Sequence, residues 1–158
     1  MEINILDYIK EENIVLNLKV KGKKKVISLL LDHLVEIKKI KRSDKKAILK
    51  TLLQREEMGS TAIGGGIALP HARVDCVKNM VVCVGISKEG VNFDSLDGDL
   101  VNIVTLLLSN QKETGLHLKM LAYLARMLRD KYFVRQLKSA SDKEEVLSAI
   151  KKQASFLK

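Results

Sequence analysis

Two stretches of this chain, Met80–Ile86 and Val101–Leu108, are apolar at nearly every position and rich in β-branched residues or leucine. A strand with one wet face alternates apolar and polar residues. A run without alternation is a strand covered on both faces. Both runs are therefore read as buried central strands, and neither is long enough to span a bilayer. The residues between them, from Asn92 to Gly98 (NFDSLDG), carry turn chemistry.

The remaining segments supply the cover. Ile14, Leu16, Leu18 and Val20 alternate with Val15, Asn17 and Lys19, which predicts a further strand ended by Gly22. From Lys24 to Ile40, residues Val26, Ile27, Leu30, Leu31, Leu34 and Ile37 recur at helical spacing. Ser43 is the expected N-cap of a second helix, with Ala47, Ile48, Leu52 and Leu53 as its stripe and an end near Met58–Gly59. Leu116–Leu128 has a helical stripe of Leu118, Leu121, Ala122, Leu124, Ala125 and Leu128, and Tyr132–Leu137 reads as a short helix. Ser141 and Glu144 form an expected capping box that opens a last helix through Ile150. Helices alternating with buried strands over 158 residues, without repeats or linkers, predict one α/β domain spanning 1–158: a central mixed sheet flanked by helices.

Composition narrows the function. The chain has 46% hydrophobic residues, no Trp and 4% aromatics, so it can bury a core but is poorly supplied with stacking platforms for bases or sugars. Its net charge of +9 sits on the two flanks, leaving a neutral middle, which argues against a nucleic-acid site there. The Lys21–Lys25 cluster reads as a solvated turn and helix start, or as a docking surface for an acidic partner. His33 lies in an amphipathic helix with no motif around it and is read as structural. Cys76 and Cys83 match neither a redox CxxC pair nor a zinc knuckle, and Cys83 reads as a small core residue. The N-terminus resembles no signal peptide. A cytoplasmic protein without membrane insertion is expected.

The neutral middle contains GSTAIGGGIALPHAR, from Gly59 to Arg73, with the only proline, three consecutive glycines and a histidine directly after the proline. Glycines let backbone N–H groups approach a ligand closely. Proline fixes φ and disfavours a helical conformation for the residue before it. A neutral imidazole is a nucleophile near pH 7. This combination points to a histidine at the end of a rigid segment, beside amide donors. No P-loop, Rossmann fingerprint, HExxH or GxSxG motif is present, so neither cofactor nor metal is expected.

The segment Arg55–His71, REEMGSTAIGGGIALPH, closely resembles the active-site signature of the type-2 enzyme IIA proteins of the bacterial phosphoenolpyruvate-dependent phosphotransferase system. Phe93–Asp97 and His117-Leu118-Lys119, followed by Leu121, Leu124, Ala125 and Leu128, resemble the family's later blocks, so the similarity covers nearly the whole chain. The resemblance implies a type-2 enzyme IIA-like fold and a phosphoryl carrier. In it His71 accepts phosphate, on Nε2, from the histidine-containing phosphocarrier protein, and His117 orients the phosphoryl group or donates a hydrogen bond to it. Such transfer needs donors for the equatorial oxygens. Arg55 can pair with the group through its planar fork, and Ser60, Thr61 and the N–H groups of Gly64, Gly65 and Gly66 are further candidates. Ala62 and Ala72 replace glycines usual in the family, and alanine would be strained wherever φ > 0 is required.

Two roles share this histidine. A nitrogen-regulatory form controls target proteins according to its phosphorylation state. A sugar-specific form of the fructose or mannitol type passes phosphate to an enzyme IIB cysteine during uptake. The chain shows no fused IIB or IIC domain, so a stand-alone protein leaning to the regulatory form is expected.

Overall fold

The computed structural model describes residues 2–157. Its centre is a six-stranded mixed sheet in the order β1-β5-β6-β3-β2, with β4 also paired to β6. The two apolar runs are its middle: β5 (Val81–Val91) and β6 (Val101–Ser109) pair antiparallel. β1 (Ile14–Val15) lies parallel to β5. β2 (Ala62–Gly64) is antiparallel to β3 (Ile67–Ala68). β3 and β4 (His71–Arg73) both run parallel to β6, and Leu69-Pro70 divides them.

The pleat of β5 and β6 sorts their side chains into two cores. Val81, Cys83, Val104, Leu106 and Leu108 face α1 (Lys23–Glu36) and α2 (Lys45–Glu57). Val82, Val84, Ile86, Ile103 and Leu107 face α3 (Thr114–Met127), α4 (Lys131–Ser139) and α5 (Lys143–Ser155). Cys83 is fully buried and its thiol is pushed up to about 12 by that burial, as an inert core residue requires. His33 ties α1 to the N-terminal segment through a 2.7 Å contact of its Nε2 with the Glu12 carbonyl. Within the lysine cluster, Lys23 pairs with Asp94 at 3.0 Å.

Local expectations needed correction in five places. The first strand is only Ile14–Val15, because Asn17 adopts φ 57 and breaks the ladder before Leu18 N–H rejoins the Ile86 carbonyl. α1 stops at Glu36, where Lys38 at φ 62 turns the chain. Ser43 caps nothing: it lies in a 3-10 turn, and Asp44 precedes α2. The last helix is capped by Asp142, whose carboxylate accepts from Glu145 N–H, while Glu145 accepts from Ser141 N–H. The cap is one residue later than expected, and the reciprocal bond goes to Ser141 N–H and not to the N–H of the cap residue itself. The stripe of α3 is also rotated, since Leu118 is 61% exposed while Met120, Leu124, Met127 and Leu128 are buried.

Candidate active site

The loop before His71 is held by its own polar groups. Glu56, at the end of α2, is 3% exposed, and its carboxylate accepts from both the N–H and the hydroxyl of Thr61. The Lys23 ammonium lies 3.8 Å from the same carboxylate. Ser60 Oγ donates to the Phe93 carbonyl at 2.5 Å and accepts from Ala62 N–H. Both hydroxyls therefore fasten the loop. Gly64, Gly65 and Gly66 have φ of 89°, 66° and 81°, a run of left-handed conformations that only glycine adopts without strain. Gly65 N–H donates to Asp97, and the Gly66 carbonyl accepts from Asn102 and Ile103 N–H groups. This turn opens onto a different cleft from that of His71. Ala62 and Ala72 lie in strands and outside the positive-φ region, so the alanines carry no backbone strain.

His71 opens β4, and its register partner is Leu107. Paired residues and alternate residues share a face, so His71 and Arg73 point toward α3 while Ala72 packs in the core against α2. They line a cleft of about 610 Å³ with Arg55 from α2 and His117 from α3. The structure thus joins three expected residues, His71, His117 and Arg55, and adds Arg73. The strand period after His71 carried a legible hint of Arg73.

The tautomer of His71 follows from its contact. Nδ1 lies 2.7 Å from the Leu69 carbonyl oxygen, which only accepts, so Nδ1 carries the proton. Nε2 keeps its lone pair. Burial holds the imidazole pKa below its usual value, against the raising effect of the Leu69 hydrogen bond, and Arg55 adds to the lowering. His71 is accordingly a neutral nucleophile at neutral pH.

His117 is 4% exposed, and its ring centroid lies 5.6 Å from that of His71. Desolvation first, then the neighbouring His71 and Arg73, push its pKa down to about 4. Its Nδ1 meets the Ser109 hydroxyl at 2.5 Å. When that hydroxyl donates, Nε2 of His117 bears the hydrogen and is a neutral donor beside His71. Ser109 ends β6 and no motif marked it, because its meeting with His117 depends on how α3 docks. Arg73 is steadied by donating to Thr114 Oγ1 at 2.8 Å, and Arg55 by donating to the Gly59 carbonyl at 2.8 Å. With the Ser109 hydroxyl donating, the site is two cations and one neutral donor around a neutral nucleophile. That arrangement suits transfer of a dianionic group to nitrogen.

Comparison with known proteins agrees with this geometry. Residues 7–153 match the family model described as phosphoenolpyruvate-dependent sugar phosphotransferase system, EIIA 2, and the chain belongs to that family. It is 32% identical over 146 residues to a nitrogen regulatory protein of Bradyrhizobium diazoefficiens, covering 92% of this chain and 94% of that one. It is 31% identical over 148 residues to the fructose-specific EIIABC component of Bacillus subtilis, covering 94% of this chain but 23% of that much longer protein. Among solved structures, nitrogen regulatory protein IIA-Ntr from Neisseria meningitidis superposes with a TM-score of 0.83 at 31% identity, covering 92% of this chain and 97% of that one. No described helix is long and apolar enough to cross a membrane.

Proposed function

We propose that this protein is a phosphohistidine carrier in which Nε2 of His71 receives a phosphoryl group from the histidine-containing phosphocarrier protein. The observation that carries this reading is the Leu69 hydrogen bond, which commits Nδ1 and leaves Nε2 as the only nucleophilic nitrogen of His71. In the transfer, the donor's P–N bond breaks as the His71 Nε2 lone pair forms the new one. The guanidinium groups of Arg55 and Arg73 meet the charge on the equatorial oxygens, and His117 Nε2–H donates to one of them. No side chain must lose a proton, which fits a site whose histidines are both neutral. Ser60, Thr61 and the Gly64–Gly66 turn serve by holding the loop.

The role that follows phosphorylation is read as regulatory: the protein controls target proteins by its phosphorylation state. The 32% identity to a nitrogen regulatory protein and the TM-score of 0.83 with IIA-Ntr support this reading over the sugar-specific role, in which phosphate passes to an enzyme IIB cysteine. Both reactions belong in the cytoplasm, where the phosphocarrier operates.

A phosphorelay driven by phosphoenolpyruvate should label the protein on one histidine, with an acid-labile, base-stable bond. His71→Gln should abolish the label with the circular dichroism spectrum unchanged. Undiminished labelling of that variant overturns the assignment.

A further inference from the structure

A second cleft, of about 670 Å³, lies beyond the His71 site at the other end of α3. It runs between the Gly64–Gly65 turn, the last residues of α3 and one face of α4. Its linings and those of the His71 cleft share no residue. On α4, Lys131, Val134, Arg135 and Lys138 fall at i, i+3, i+4 and i+7 and so share a face. Arg129, just past α3, adds a fourth cation. Beneath them the floor is apolar, built from Ala125, Leu128 and Val134, and Ile63 stands 53% exposed on the facing wall.

These charges have no internal use. Among the described residues the ion pairs involve only Lys23, Lys39 and Lys45, and none of the four cleft cations. The two nearby carboxylates are committed elsewhere. Asp97 accepts from Gly65, Asp99 and Ser95, and Asp130 caps α4 through Phe133 N–H and meets Gln153. Like charges three and four residues apart weaken a helix. α4 keeps three of them on one stripe beside an apolar floor. The stripe extends ~10 Å along the helix axis, at about 1.5 Å per residue. Its cations form a row and do not converge on one point, so they match a series of carboxylates better than a single small anion.

We propose that this cleft docks an acidic amphipathic segment of a partner protein. Apolar side chains of the segment pack on Ala125, Leu128, Val134 and Ile63, and its carboxylates meet Lys131, Arg135 and Lys138. The site is independent of His71 chemistry, so the full-length chain with His71→Gln retains it.

A designed helical peptide, leucine at i, i+3 and i+7 with glutamate between, is the probe, because charge and apolar pattern are the whole of the claimed recognition. Fluorescence anisotropy should show saturable binding that weakens with salt. Arg135→Glu with Lys138→Glu should weaken it at least about tenfold, a change typical of losing charge pairs at an interface. The milder Lys131→Gln should weaken it less, and replacing the peptide's leucines by alanine should also reduce it. Amide shifts should map to α4 and the end of α3. Four results overturn the proposal: no binding, binding indifferent to the α4 variants, shifts confined to the His71 cleft, or tripolyphosphate binding the α4 face as tightly as the peptide, which would make it a small-anion site.

Discussion

The Nδ1–H of His71 is donated to the carbonyl of Leu69, and Leu69 directly precedes Pro70. Proline restricts the residue before it to extended conformations, and the Pro70 carbonyl is itself fixed by Leu107 N–H. The acceptor that sets the tautomer is therefore rigid. His117 has no such anchor in its own segment and relies on Ser109. Both pKa values are lowered, so the folded protein binds fewer protons than the unfolded chain below about pH 6.5, the ordinary imidazole value. Stability is therefore greatest above that pH and declines as pH falls from 6.5 toward 4, where His117 also protonates in the native state. Urea midpoints measured at pH 7.5 and pH 5 should drop for the wild type and drop less for His117→Asn. Phosphoryl acceptance should persist below pH 6.5, with a midpoint lower than that of free imidazole, in a labelling series against pH.

Caps and register decide how the elements end. Asp142 begins α5 with its carboxylate on Glu145 N–H at 2.8 Å, while the Ser141 side chain makes no such bond. Asp142→Ala should thus cost ~1 kcal/mol, the ordinary value of a lost N-cap, and Ser141→Ala far less. Chemical denaturation of the two variants separates the assignments, and equal losses would refute the cap at Asp142. The rotated stripe of α3 has a functional counterpart. Leu118, expected on the apolar stripe, instead lines the His71 cleft, Leu121 lies at the edge of both cleft and core, and His117 occupies the buried side. Helical spacing defined a stripe but not its centre, because leucines at a cleft rim look like core leucines in the sequence.

At the scale of the whole molecule, α1 packs closely on the sheet at Gly85. This residue lies in β5 between partners Val15 and Val104. A Cβ placed there would come within 2.7 Å of Leu18 Cδ1 and 2.9 Å of Leu30 Cδ2. Gly85→Ala should destabilise the protein by ~1–3 kcal/mol, as overpacking does. A lowered urea midpoint with an unchanged slope checks this. His71 sits across the sheet from that contact, so its labelling rate in folded Gly85→Ala should stay near wild type.

The chain alone determined the two central strands, most of the helical extents and the signature around His71, because each is a short-range pattern: uniform apolarity, 3.6-residue periodicity, or a contiguous motif. Arg55 and His117 entered through the motif's likeness to a family, not through any local rule. Only the tertiary structure decided that Arg73 lines the His71 cleft and that Ser109 anchors His117 from beneath it. It also placed Ser60, Thr61 and the glycine turn in loop-holding bonds, and it ended β1 at Val15. These outcomes depend on which face meets which neighbour and on donors supplied by residues distant in sequence. Glu56, Phe93 and Asp97 captured the polar groups that the local pattern had left free to bind phosphate.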